Sequence, residues 1–196
     1  MIVLDIETTG TDPRVHSIAS IGAVDFDQPE RGEFYEQCKI FDRAKIEKEA
    51  LTVNGFTEEQ LKDSSKKTEA EIVKDFLDWA KQSNDHTMAG QNPNFDTSFV
   101  IAAAERNHID FSMPRRTVDL HSICLAHMIW KGNKPPLANN RSNLNSDSIM
   151  KYVGIPPEIH PHEAINGARI EAEAFSRLLY NKPFYESYKA FKIPWL

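Results

Sequence analysis

The sequence predicts an α/β fold, a mixed β-sheet covered by helices. Three observations carry this. The first forty residues hold three strand-like runs. From about Glu47 onward, helical stripes alternate with short strand candidates. The chain has 196 residues, 40% hydrophobic and 27% charged, which suits one compact domain spanning 1–196 with its own core.

The elements follow in order. "MIVLDIET" is a short apolar run, "HSIASIGAVDF" a second, and "GEFYEQCKI" a third that alternates. In "GFTEEQL", Thr57 is a helix N-cap, and Glu58 and Glu59 fall in the first turn, where the helix dipole favours acids. "TEAEIVKDFLDWAKQ" places Ile72, Val73, Phe76, Leu77 and Ala80 on one helical stripe. "HTMAG" reads as a short strand, "FDTSFVIAAAERNH" as a helix, and "TVDLHSICLAHM" as a strand or a strand running into a helix. "WKGNKPPLANNRSN" is a long polar loop carrying Lys131, Lys134 and Arg141, open to a functional role or a connecting one. "LNSDSIMKYVGI" returns to helix and stops at Gly154. "HPHEAINGARIEAEAF" begins the last long helix, and it carries Gly167 inside the helical pattern at a cost of ~1 kcal/mol relative to alanine. The aromatic tail, about 183–196, packs onto the domain or offers rings for base stacking.

Bulk properties exclude several classes. No apolar run approaches the roughly 20 residues that span a bilayer. Met1 leads straight into "IVLDIE" without a basic leader, so a cytoplasmic location is expected. Cys38 and Cys124 are too few for a disulfide framework and lack metal-site spacing, which leaves them as buried thiols. A net charge of −6 provides no footprint for non-specific nucleic-acid binding.

Asp5 and Glu7 stand in an otherwise apolar strand. A spacing of two puts both on one face, where they repel each other and need a positive partner. The following "TTG" turn would leave them at the strand's carboxyl end, where α/β sheets place ligands. Asp96, in "GQNPNFDTSF", alone reads as a first-turn helix acid. Grouped with the other two it suits Mg²⁺ or Mn²⁺, hard cations that take carboxylate oxygens. A pair of such ions would clamp the attacking and leaving oxygens of a phosphodiester.

"LDIETTG", "NPNFD" and "HEAINGA" resemble, in order and spacing, the three motifs of the DnaQ-like (DEDDh) 3′–5′ exonucleases. The resemblance implies a ribonuclease-H-like fold with a five-stranded mixed sheet flanked by helices. It implies two divalent cations, with Asp5 bridging both, Glu7 on the first and Asp96 on the second. It implies His162 as the proton acceptor for the attacking water, a role suited to a side chain that titrates near neutrality; His160 is the competitor. Thr8, Val53, Asn54 and Phe95 match positions that contact the terminal nucleotide. The substrate implied is a single-stranded or frayed 3′ end of DNA or RNA, cut to nucleoside 5′-monophosphates. Oligomeric state stays open, a homodimer included.

The pattern breaks at one place. The family's fourth carboxylate, five residues after the histidine, is here Gly167. Either the chain binds nucleic-acid ends without cutting, or another acid substitutes. On a helix with Ile165, Ala168, Ala172, Phe175 and Leu179 as its buried face, Glu171 falls at the edge near Gly167 and Glu173 on the solvent side. Helical side chains lean toward the N-terminus, so Glu171 would lean over Gly167, where a side chain could obstruct it. Glu171 is thus a metal-ligand candidate, or a surface acid in helix-face ion pairs.

Overall fold

A computed structural model describes residues 1–196. Strands β1 (Ile2–Thr8), β2 (Ile18–Asp25) and β3 (Glu33–Lys39) form an antiparallel meander. Helices α1 (Lys48–Asn54) and α2 (Glu58–Lys62) follow, then a two-residue strand β4 (Lys67–Thr68) and α3 (Glu69–Ala80). Strand β5 (Met88–Gly90), α4 (Pro93–Arg106), β6 (Thr117–Asp119) and α5 (Leu120–Trp130) come next. A small hairpin, β7 (Leu137–Ala138) and β8 (Arg141–Ser142), forms within the polar loop. Helices α6 (Ser146–Val153) and α7 (Ala164–Tyr180) complete the order.

The main sheet runs β4-β3-β2-β1-β5-β6. It has six strands where five are expected. The addition is β4, whose Thr68 is extended because it caps α3, and which lies parallel to Cys38 and Lys39 of β3. Strands β1, β5 and β6 are mutually parallel, so their carboxyl ends share one edge of the molecule.

Period-two alternation in β1 sorts its residues between two cores. Ile2, Leu4 and Ile6 pack with Phe76 of α3 and Phe99 of α4, while Val3 packs with Phe175 of α7 and Cys124 of α5. Asp5 and Glu7 therefore share the face toward α7, as their spacing predicts. Thr57 and Thr68 each close a reciprocal capping box, with Gln60 and Glu71, and set the starts of α2 and α3. Both cysteines are buried and unpaired. No helix is long and apolar enough to cross a membrane.

Helix α7 sits directly on the sheet. A Cβ at Gly22 of β2 would fall 2.3 Å from Ala164 O and Ile165 N, so the first turn of α7 requires glycine there.

Two expectations for α7 are corrected. Glu173 does not face solvent: it is fully buried, 2.6 Å from Arg177 Nε, and accepts from Phe184 N and Tyr185 N. Arg177, equally buried, donates to the carbonyls of Val153, Tyr188, Phe191 and Lys192. The tail covers what would have been the outer face of the helix, and these charges satisfy its backbone. Leu179 is 41% exposed rather than buried, because it lies in the last turn, next to exposed Tyr180.

Candidate active site

The predicted acids meet at the carboxyl ends of β1 and β5. Strand β5 pairs with β1 only at Ile2 and Val3, so beyond that point the β1 edge is open. Ile2 N–H bonds to Thr87 O across this edge, and by period two Ile6 N–H points the same way. Asp96 Oδ1, in the first turn of α4, accepts it at 3.2 Å. Asp96 is thereby fixed to the backbone between Asp5 and Glu7.

Helix α7 brings the other components. The carboxylate of Asp5 lies flush against Gly167: a Cβ there would be 2.2 Å from Asp5 Oδ2 and 2.7 Å from its Cγ. Glycine is thus required to admit Asp5 itself. One turn on, Glu171 is buried, and its Oε2 accepts from Gln91 N at 3.1 Å, at the loop leading into α4. The helix edge predicted for Glu171 holds, and its carboxyl points toward β5 and Asp96.

These groups carry strongly perturbed charge. Burial, then Glu171, Asp96, Glu7 and Glu158, push the Asp5 carboxyl well above the usual range. Burial, followed by Glu158 and Asp96, raises Glu7 to about 8. Burial raises Asp96 to about 8, opposed by its backbone hydrogen bonds. Glu171 is held well above its usual value by burial and then by Asp96. The neighbouring arginines are committed elsewhere, Arg169 to Glu33 and Arg177 to Glu173. As the side chains stand, no three of the chain's His, Cys, Asp or Glu residues converge closely enough to hold one metal ion together. The acids form an open group of like charges lacking a cation, all hard oxygen donors, and this chemistry fits Mg²⁺ or Mn²⁺.

His162 stands beside this group in the loop before α7, its side chain 30% exposed and its N–H bonded to Val53 O. Nδ1 faces Glu158 Oε2 at 3.6 Å. The exposed His160 stacks on it with ring centroids 4.5 Å apart. Glu158 was not anticipated. Its side chain is 11% exposed, and burial raises its carboxyl despite the histidines. The available signal was its position four residues before His162.

Thr8, Val53, Asn54 and Phe95 line one cleft of about 310 Å³ together with Glu7. Their parts differ. Asn54 is buried, with Nδ2 donating to Thr8 O and Oδ1 accepting from Phe56 N, so it holds the wall. Thr8 is buried with its hydroxyl on Gly10 O. Val53, 44% exposed, and the half-buried Phe95 present apolar surface to the cleft.

Known proteins resemble this chain in sequence and in fold. The chain is 28% identical over 179 residues to the PolC-type DNA polymerase III of Thermotoga petrophila, covering 91% of this chain but 12% of that protein. It is 30% identical over 181 residues to the DNA polymerase III subunit epsilon of Rickettsia typhi, 90% of this chain and 72% of the relative. In fold it matches E. coli exonuclease I in complex with a 5cy-dT13 oligonucleotide, with a TM-score of 0.71 at 18% identity over 92% of this chain and 41% of that one. The exonuclease family model spans residues 2–175. With its motif acids gathered at one sheet edge and this match covering most of its length, the chain belongs to the exonuclease family of the DnaQ type.

Proposed function

We propose that this chain is a metal-dependent 3′–5′ exonuclease acting on single-stranded or frayed DNA or RNA and releasing nucleoside 5′-monophosphates. The observation that carries the reading is the gathering of Asp5, Glu7, Asp96 and Glu171 at one strand edge beside the cleft of Val53 and Phe95. Glu171 replaces the aspartate missing at Gly167. Two divalent cations held by these carboxylates would neutralise the scissile phosphate and activate the attacking water. Val53 and Phe95 receive the terminal nucleotide against an apolar wall, and Asn54 and Thr8 keep that wall in place. Glu158 beside Nδ1 of His162 favours the tautomer with its proton there, which leaves Nε2 to accept the proton of the attacking water.

The test is a nuclease assay on matched labelled DNA and RNA strands with Mg²⁺ or Mn²⁺, with Asp5→Ala as control. Shortening from the 3′ end that disappears in the variant is the expected result. Tight end binding without cutting under either metal would replace this reading with a silent end-binding module.

A further inference from the structure

His162 stands on a loop, ahead of the first turn of α7 at Ala164. A proton acceptor works only when its ring nitrogen is held within hydrogen-bond reach of the water it deprotonates, and an error near 1 Å costs about 10²-fold in rate. Whatever fixes this ring therefore bears on the reaction.

The backbone of the loop is anchored on α1 and the turn after it. His162 N–H donates to Val53 O at 3.0 Å. Pro161 sits on Gly55, where a Cβ would fall 2.7 Å from Pro161 Cβ. These contacts fix the backbone of His162 but not the plane of its ring, because the torsion between Cβ and an imidazole has a broad, roughly twofold profile. Along the ring edge, Glu158 Oε2 lies 3.6 Å from Nδ1, beyond hydrogen-bond length. At that separation the carboxylate biases where the proton sits without locking the ring plane.

The face of the ring is covered by His160. The two imidazoles lie 27° from parallel, with centroids 4.5 Å apart. His160 is exposed, and this stack is its one aromatic contact. An exposed ring adds nothing to the core, so the effect of the contact falls on His162.

We propose that His160 is a positioning residue for the proton acceptor. Stacked on one face of His162, it holds the imidazole plane so that Nε2 stays presented to the attacking water. The inference rests on the nuclease reading, which gives His162 its role.

The experiment measures kcat and KM on one labelled single strand with Mg²⁺ or Mn²⁺ for wild type, His160→Ala and His160→Phe. His160→Ala removes the stack, and kcat falls about fivefold with KM unchanged, the scale of one aromatic pair. His160→Phe keeps a flat ring that neither titrates nor donates a hydrogen bond, and it restores kcat to about the wild-type value. Wild-type kcat in the alanine variant, or a phenylalanine variant as slow as the alanine one, overturns the proposal. So does a loss confined to KM, which would make His160 a strand contact instead. A second readout needs no cutting. In carbon–proton correlation spectra the His162 ring protons lie in the shielding field of His160; they move downfield in His160→Ala and return upfield in His160→Phe. Signals that do not move overturn the contact and the proposal with it. If wild type does not cut, the nuclease reading fails, and the spectra alone judge whether His160 holds the ring, by the same two outcomes.

Discussion

Replacing Gly167 by alanine separates two opposed effects. Within a helix the change normally adds about 1 kcal/mol of stability through propensity. Here the new Cβ would lie 2.2 Å from Asp5 Oδ2, 2.7 Å from Cγ and 3.3 Å from Cβ. Three consecutive atoms of a short side chain are in the way, so rotating the carboxyl alone does not relieve the contact. Overpacking of this kind costs about 1–3 kcal/mol. The net expectation is a loss of about 1 kcal/mol, so the melting temperature falls by about 2–4 °C where an unobstructed substitution would raise it. Asp5 must also move, and a displacement near 1 Å at a reacting centre costs about 10²-fold in rate. Thermal unfolding and cutting of a labelled single strand with Mg²⁺ measure the two arms. Gly167→Asp, which restores the family's residue, should do worse on both, since it adds a further carboxylate at the same contact. An alanine variant that melts higher than wild type and cuts at the wild-type rate would refute the account.

Glu171→Ala should reduce cutting by about 10²–10³-fold, the scale of several kcal/mol of lost charge stabilisation, while leaving the fold intact. In Glu173→Ala the buried Arg177 loses its carboxylate partner, so about 3–5 kcal/mol of stability should go; calorimetry then shows a melting point lower by about 6–20 °C. Glu7 and Asp96 are both raised to about 8 in the folded chain. The folded state therefore holds protons that the unfolded state has released, and metal-free stability should fall as pH rises from about 5 to 8. Added Mg²⁺ or Mn²⁺ should raise the melting temperature more at pH 8 than at pH 5.5. A metal-free melting temperature that climbs across this interval would contradict the clustering of the acids.

Much of this was legible in the sequence, because it depends on periodicity within one element. A spacing of two is enough to place Asp5 and Glu7 on one face of β1. The stripe from Ile72 to Ala80 and the cap at Thr57 likewise sufficed for their helices. The helix angle put Glu171 at the edge near Gly167. The motif order supplied the family, and with it the grouping of Thr8, Val53, Asn54 and Phe95.

What only the tertiary structure decided lies where distant segments touch. That Gly167 makes room for Asp5 depends on how closely α7 settles onto β1, 162 positions away in the chain. That Glu173 is buried depends on the tail folding back over α7, which periodicity within that helix does not register. Glu158 joins the acids only because the loop before α7 carries it to Asp5 and Glu7, more than 150 positions away in the chain. Local patterning specifies which way a side chain points from its own backbone. What it meets there is set by packing between elements remote in sequence.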